Sequence, residues 1–304
     1  DEAGTAITTG DDNTFIGYAS GDATTTAGGN TAVGSSAFST NTTGADNVAI
    51  GEAALLSNTT ASNNTAVGNN ALRANTTGAD NVAVGKSAGA SITTGFENVF
   101  IGSSAGDAAT VSLHNTAVGM ASLSADTTGR YSVAVGHRTL ENQNFTGSQS
   151  AYNTAVGYQA GNDVTTGTQN TFVGGLSGDG SQTGTGNTAL GYQSLSGVVT
   201  GGYNTALGWG AGLAITSGTL NTAVGTQALF SNTVGSFNTA LGEGALYTNI
   251  DGSRSVAIGR HSLYAQEPAS AVDMYNVGIG YAAGNAITTG VQNTFIGGNS
   301  AISN

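Results

Sequence analysis

The chain has 304 residues, of which 49 are glycine, one is proline and only 8% are charged. Disordered chains usually combine high charge with low hydrophobicity, so this composition, with 38% hydrophobic residues, favours a regular folded protein. A net charge of −12 with only six lysines and arginines argues against binding to nucleic acid or anionic lipid. Since no cysteine is present, disulfides and thiolate metal sites are excluded. No stretch approaches the ~18 consecutive apolar residues of a membrane span, so we expect no membrane insertion by this segment.

A five-residue motif of the type Asn-Thr-Ala-Val-Gly, as at 153–157, recurs seventeen times. We number each copy from its first residue, which is position 0. This residue falls at 13, 30, 47, 64, 81, 98, 115, 132, 153, 170, 187, 204, 221, 238, 255, 276 and 293. Successive copies start seventeen positions apart, except from 132 to 153 and from 255 to 276, where the interval is four positions longer. Internal repeats of this kind are typical of solenoids.

Each motif position has a narrow choice of residues. Position 0 is Asn in fifteen copies and Ser at Ser132 and Ser255. Position +3 is always Val, Ile or Leu, and position +4 is always Gly. Position +2 is Ala in twelve copies, Phe in four and Gly at Gly278, so it is never polar.

A short β-prone run that is closed by glycine once per period predicts one strand per coil, followed by turns. Frequent Gly, Thr, Val and Asn oppose helix. Stacked coils pair each strand with its copy in the next coil, which predicts an all-β parallel β-solenoid, or β-roll, of about 17 coils. At ~4.8 Å per strand, these coils would extend roughly 80 Å. We also expect a weaker second strand at positions +7 to +11.

The motif predicts what each coil contains. The aliphatic residue at +3 is expected to stack into a continuous core. Gly at +4 would form a corner that needs a positive φ or close backbone approach. Asn at position 0 would form an amide ladder between coils or cap its own turn.

Position +2 lies on the opposite strand face from +3. Because +2 is apolar throughout, we expect this second face to be buried against other chains, which favours a fibre of several copies over a single chain. The subunit contacts predicted on this basis are Phe15, Phe100, Phe172 and Phe295.

The two longer coils repeat as well. Residues 30–152 and 153–275 form two copies of a 123-residue super-repeat, with a third beginning at 276–304 and a partial coil at 1–12. We therefore expect a single continuous solenoid over 1–304. Both ends fall inside a coil, which favours a segment of a longer chain.

The motif resembles the repeat of trimeric autotransporter adhesin heads, on the Ser-Val-Ala-Val-Gly run at 132–136 and the Ser-Val-Ala-Ile-Gly run at 255–259. The Asn-Thr-Ala-Val-Gly-Tyr-Gln-Ala run at 153–160 is similar to repeats of bacterial and phage tail-fibre-like proteins. The resemblance implies a homotrimer of parallel β-rolls, displayed on the cell surface or on a virion, that works in adhesion. It also implies that the aliphatic motif residues, such as Val133 and Val135, fill each coil.

Catalytic or metal chemistry is not indicated. His114, His137 and His261 are the only histidines, and no acid–nucleophile arrangement recurs around them. Acidic residues ahead of the motif, such as Asp46 and Asp80, lack the pattern of a calcium-binding repeat and read as a solvated face. We expect no enzymatic activity, no cofactor and no metal site.

The longer coils hold the best candidates for ligand binding. Each carries a histidine next to an arginine and ends at a tyrosine, and this combination suits an anionic sugar or a carboxylate. The predicted ligand-binding residues are His137, Arg138, Tyr152, Arg260, His261 and Tyr275.

A structural role is the alternative for the longer coils. Their protruding loops, 141–151 and 264–274, would then plug or clasp a subunit boundary. In that case Arg130 and Arg254 would pair with nearby Glu141 or Asp251.

Three functions follow from the architecture. The first is a structural and adhesive extracellular fibre segment, which presents loops to a surface, a glycan or a host receptor. The second is an ice-binding solenoid, because Thr occupies +1 in eleven coils beside the aliphatic +3, although Val replaces it in six. The third is a subunit of a self-assembling extracellular filament.

Overall fold

The computed structural model describes residues 2–180 and 182–301. The chain forms two compact units, Asp1–Tyr152 and Asn153–Asn304. Their boundary coincides with the junction between the two predicted super-repeats. The described residues form strands, turns and bends, and no helix.

The first unit contains eight parallel strands of three residues, each covering positions +1 to +3. Consecutive strands pair in register, so that Ala66 lies opposite Ala83. The strands are β1 (Thr14–Ile16), β2 (Thr31–Val33), β3 (Val48–Ile50), β4 (Thr65–Val67), β5 (Val82–Val84), β6 (Val99–Ile101), β7 (Thr116–Val118) and β8 (Val133–Val135).

The second unit repeats this arrangement with nine strands, again parallel and in register. They are β9 (Thr154–Val156), β10 (Thr171–Val173), β11 (Thr188–Leu190), β12 (Thr205–Leu207), β13 (Thr222–Val224), β14 (Thr239–Leu241), β15 (Val256–Ile258), β16 (Val277–Ile279) and β17 (Thr294–Ile296). The predicted all-β parallel β-solenoid of about 17 coils is therefore confirmed.

Positions +7 to +11 form turns, so the prediction of a second strand is wrong. The backbone still hydrogen-bonds between coils there, as from Leu72 N–H to the carbonyl oxygen of Ala88 at 3.0 Å. The chain is kept from extending by left-handed residues at +6 and +8, such as Asn70 with φ of 59° and Leu72 with φ of 48°. These positions curl the coil rather than pleat it.

The strand faces are reversed relative to the prediction. Position +2 points inward, where Ala66 and Ala83 are fully buried, whereas +3 points outward, where Ile50 is 39% exposed. The prediction that +3 fills the core and +2 meets other chains is therefore wrong. Positions +2 and +3 do lie on opposite faces, as predicted. However, the smaller residue at +2 faces the interior and the larger residue at +3 faces outward.

The four phenylalanines predicted as subunit contacts point into the coils. Phe100 and Phe172 are fully buried within the chain, so they cannot reach a partner. Phe15 faces Gly21, where an added Cβ would lie 2.5 Å from the ring. The correction applies to the whole set: Phe15, Phe100, Phe172 and Phe295.

Positions +2, +8 and +11 together place one large apolar side chain inside each coil, and the position that supplies it varies. Leu195 fills the coil from +8 beside the small Ala189 at +2. Phe172 fills it from +2, where +8 is Gly178. Ile215 fills it from +11 in a coil whose other two positions are small. Close packing therefore couples three positions that are distant in sequence.

The Asn residues at position 0 form the predicted ladder inside the coils. The backbone N–H of Asn47 donates to Asn30 Oδ1 at 3.0 Å, and that of Asn64 donates to Asn47 Oδ1 at 2.9 Å. Asn64 Nδ2 donates in turn to the carbonyl oxygen of Gly78, fourteen residues later, at 3.0 Å. Buried amides need such partners, so this ladder ties the coils together without leaving polar groups unpaired.

Gly at +4 is required for both predicted reasons. Gly68 has a φ of 136°, a conformation that L side chains rarely adopt. An added Cβ would also lie 2.5 Å from the carbonyl oxygen of Gly85 in the next coil. The coils can approach each other at this corner only without a side chain.

We predict that Phe172 and Gly178 are interchangeable with the pair found in a neighbouring coil. Phe172→Ala leaves a cavity and should cost about 3–5 kcal/mol of unfolding free energy. Gly178→Leu should destabilise as well, because the new side chain would overlap the Phe172 ring. The double variant recreates the Ala189 and Leu195 pair and should recover most of the loss in denaturant unfolding.

One outcome of the double-variant cycle would contradict this prediction. If the two losses simply add, the coil does not exchange volume between +2 and +8. The φ of Leu195, 48°, is close to the 59° of Gly178, so backbone strain does not prevent the exchange.

Candidate functional site

The outer face of the strands is uncharged in both units, and its +3 column is apolar. Position +1 is always Thr or Val and position +3 is always Val, Ile or Leu, so neither column carries a charge. Leu190 and Leu241 at +3 are 46% and 45% exposed. Because contiguous apolar surface of this kind marks interaction sites, we define positions +1 and +3 as the strand face.

The strand face of the second unit contains an unbroken threonine column. Six consecutive strands, β9 to β14, place Thr at +1 in register. The neighbouring +3 column mixes Val and Leu without a regular order, as at Val173, Leu190 and Leu207. The hydroxyls are therefore regularly spaced, while the apolar column beside them is uneven.

In the first unit, a stacked column at position −1 borders the strand face. The rings of His114 and Tyr131 are parallel with centroids 5.2 Å apart, and Tyr131 stacks on Tyr152 at 5.1 Å. Glu97 Oε2 lies 3.0 Å from His114 Nδ1. His114 and Tyr131 were missed in the sequence, although both precede a motif by one residue.

The second unit builds the equivalent column 123 residues later from other residues. The Arg254 guanidinium lies 4.6 Å from the Phe237 ring centroid and 6.0 Å from that of Tyr275. Arg254 Nε lies 3.0 Å from Asp273 Oδ2, to which the Tyr275 hydroxyl also donates at 3.2 Å. Arg254 therefore pairs with Asp273, not with Asp251. This ion pair connects Arg254 to the last residue of the exposed run 269–273.

The six predicted ligand-binding residues lie at two different edges. The His-Arg pairs follow a strand, at positions +5 and +6, whereas the tyrosines precede the next strand. Residues before and after parallel, in-register strands lie at opposite edges of a sheet. The structure therefore does not gather them into one cluster in either unit. In the first unit, His137 and Arg138 follow β8, whereas Tyr152 stacks on Tyr131, which precedes β8. In the second unit, Arg260 and His261 follow β15, whereas Tyr275 precedes the paired strand β16.

Arg260 and His261 have other partners. Arg260 Nε lies 2.9 Å from Glu243 Oε2, and His261 Nε2 lies 4.0 Å from Glu243 Oε1. The ring near Arg260 is that of Tyr281, with 5.9 Å from guanidinium to centroid. The hydrogen bond from Arg260 lowers the pKa of Glu243, and the pKa of Arg260 is raised in return, so both stay charged at neutral pH.

Each longer coil carries an exposed run of five residues near its end. Residues 146–150 and 269–273 are exposed runs, as expected for protruding loops. In the first unit, Arg138 Nε lies 3.6 Å from Glu141 Oε1 at the base of the loop.

The Ser-headed motifs compensate for these insertions inside the coil. An Asn at position 0 usually donates to the carbonyl fourteen residues later, but fourteen residues after Ser132 is Thr146, in the exposed loop. Gln143 Nε2 instead donates to Ser132 Oγ at 3.1 Å, and Ser255 Oγ donates to Gln266 Oε1 at 3.2 Å. A Ser–Gln pair thus takes the place of the Asn side chain at position 0, whose usual carbonyl partner is absent from the longer coils.

Burial raises the pKa of four carboxyl groups, those of Asp107, Asp126, Asp179 and Glu267. Burial raises the pKa of Asp126, although its carboxylate accepts hydrogen bonds from Gln143 Nε2 at 2.6 Å and from Gly129 N–H at 2.8 Å. Loss of solvation raises the pKa of the half-buried Asp179 to about 6, and the nearby Asp163 carboxylate adds to the effect. Loss of solvation therefore disfavours the ionised form of the buried Asp126 carboxyl group.

No enclosed site or metal cluster is found in the part of the chain that the structure describes. Within 2–180 and 182–301, no three His, Asp or Glu side chains are placed to hold a metal ion, and no pocket is enclosed. None of the described segments is a helix that could cross a membrane. The sequence matches no known protein-family model. It matches no curated protein either.

We predict that Asp126→Asn stabilises the protein at neutral pH. Because the pKa of Asp126 is raised on folding above the ordinary 3.8, folding loses free energy above that pH, and the loss disappears at more acidic pH. Thermal unfolding midpoints at pH 7 and at pH 3 should show the gain only at pH 7.

The matched control is Asn75→Asp. It places a carboxyl at the same position +11 in an earlier coil, where Asn75 is buried, and should destabilise at pH 7. Equal midpoints for Asp126→Asn and the unmodified chain at pH 7 would contradict the prediction.

Proposed function

We propose that the chain is a structural and adhesive segment of an extracellular fibre, in which three copies associate through their strand faces. The observation that supports this proposal is the uncharged outer face of the strands. Solvent-facing strands of antiparallel sheets usually carry polar residues. Here position +1 is Thr or Val in all seventeen strands, and position +3 is Val, Ile or Leu. Depletion of charge is also characteristic of interface cores.

The strand face is large enough for a stable contact. In the second unit, nine strands about 4.8 Å apart and about 10 Å long cover roughly 400 Å², and the eight strands of the first unit cover nearly as much. Summed over the two units, the strand faces offer roughly 800 Å² per chain, which is what one partner contributes to a typical stable interface and which three copies would divide between two neighbours each.

Another copy of the chain is the partner that best fits this face. Both columns repeat once per coil, so a second copy presents apolar side chains with the same spacing. Every coil of one chain can then meet an equivalent coil of another. The resemblance to trimeric adhesin heads supports three copies.

The adhesive part of the proposal is supported by what remains outside the strand face. The loops 146–150 and 269–273 are exposed, and surface loops on a regular scaffold commonly carry binding residues. Such loops would be presented to a host surface or a glycan while the strand faces are covered.

We predict a defined oligomer of three copies in light scattering coupled to size exclusion. Leu190→Lys with Leu207→Lys places two charges on the strand face and should give a folded monomer, because an interface core tolerates buried unpaired charge poorly. Val234→Lys, an exposed apolar residue in a turn outside the strand face, is the matched control and should not change the mass. A monodisperse monomer for the unmodified chain would contradict the proposal.

Ice binding is the second candidate, favoured by the six threonines at +1 in β9 to β14. This function needs the strand face to be free in a single copy, so it excludes the contact between copies. The uneven Val and Leu column beside the threonines is less suited to a flat lattice.

Thermal hysteresis measurements separate the two functions. We expect none from the unmodified chain. If hysteresis is found, Thr205→Tyr should remove it, because the larger side chain interrupts the threonine column. Thr200→Tyr, at an exposed position outside the strands, should not. If Thr205→Tyr abolishes the hysteresis and Thr200→Tyr does not, the chain is an ice-binding protein and the fibre proposal is wrong.

A further inference from the structure

We propose that the second unit binds a neutral, extended polysaccharide on a row of aromatic and amide side chains, formed by Tyr192, Gln193, Trp209, Thr226 and Gln227. We refer to these five residues as the aromatic row. The inference rests on the proposed attachment function and names the class of ligand.

The aromatic row is built by successive coils. Tyr192, Trp209 and Thr226 all occupy position +5, in the turn that follows each strand. The N–H of Gly210 donates to the Tyr192 carbonyl oxygen at 3.0 Å, and the N–H of Gln227 donates to that of Trp209 at 2.9 Å. These hydrogen bonds place the side chains in a line with a spacing of about 4.8 Å per coil.

The two rings lie open to solvent. Tyr192 is 48% exposed and Trp209 is 45% exposed. In the coil before Tyr192, position +5 is Gly175, where an added Cβ would lie 3.5 Å from Tyr192 Cδ2. The tyrosine ring thus rests against glycine backbone, which leaves its other side to solvent.

Polar groups beside the rings are available for a ligand. The side-chain amides of Gln193 and Gln227, at position +6, make no hydrogen bond with any described residue. An amide both donates and accepts hydrogen bonds. Sugars combine an apolar face of C–H groups with a rim of hydroxyls, so rings flanked by amides match them in chemistry.

An extended, neutral polymer suits the aromatic row better than other ligands. Small-molecule sites are usually concave, whereas this row is open and no pocket is enclosed in the described part of the chain. The row repeats once per coil, as a polymer repeats along its length. The net charge of −12 disfavours an anionic polysaccharide.

The fold does not require these rings. The residues 123 positions earlier, in the first super-repeat, are Asn69 and Lys86 in place of Tyr192 and Trp209. They occupy the same position +5 in the same type of coil. Tyr192→Asn and Trp209→Lys therefore introduce residues that this solenoid already carries there.

The test uses the single tryptophan of the chain as its reporter. The unmodified protein is titrated with linear hexasaccharides of β-1,4-linked glucose and of β-1,4-linked N-acetylglucosamine. We expect a saturable change in the emission of Trp209 with at least one of them. Tyr192→Asn should weaken that binding at least about tenfold, as loss of a stacked ring implies.

Calorimetry then tests Trp209→Lys, which should also weaken binding at least about tenfold. Tyr18→Ala removes an exposed tyrosine from position +5 of the first unit and should bind like the unmodified chain. The inference is overturned if neither sugar changes the emission, or if binding survives both substitutions. It is also overturned if Trp209→Lys lowers the mass of the oligomer, since the row would then be a contact between copies.

The same samples keep the two proposals apart. A three-copy oligomer that binds neither hexasaccharide refutes only the polysaccharide inference. A monomer that binds one of them refutes the association of copies and leaves the aromatic row as a sugar-binding surface.

Discussion

Positions +2, +8 and +11 together place one large apolar side chain inside each coil, and this limit decides which residues of the strand face outward. Gly at +4 brings successive coils too close for a side chain, as Gly68 and Gly85 illustrate. Asn at position 0 then occupies part of the remaining space and joins the coils through its amide. Since little room is left, the residue at +2 can be large only where the residue at +8 is small. The bulkier residue at +3 therefore lies outside.

An apolar outer face follows directly from that limit. Apolar area exposed in one chain is a source of free energy for association with another. The solenoid therefore satisfies its own interior with small residues and amides, and leaves its aliphatic column for contacts between molecules. The proposal of a multi-copy fibre depends on this division, and not on the four phenylalanines at +2, which point into the coils.

The two super-repeats show how one backbone carries different surfaces. His114 and Tyr131 in the first unit correspond to Phe237 and Arg254 in the second, and both pairs form a stacked column. The sequence located Arg260 as a candidate, but its aromatic neighbour is Tyr281 rather than Tyr275. Arg260 follows a strand and Tyr275 precedes the next one, so the two side chains lie at opposite ends of paired strands although they are close in sequence. Columns at one coil position, rather than residues close in sequence, define the neighbours.

The sequence by itself determined the period, the parallel strand at the motif of each coil, the glycine corner and the amide ladder. Each depends on a local pattern that repeats once per coil, so it could be predicted without knowing the cross-section. Only the tertiary structure decided which strand face is inside, because an alternating apolar strand such as Val133–Val135 fits either side equally well. That choice depends on interior volume, which is set jointly by +2, +8 and +11. These positions meet only when the coil is closed.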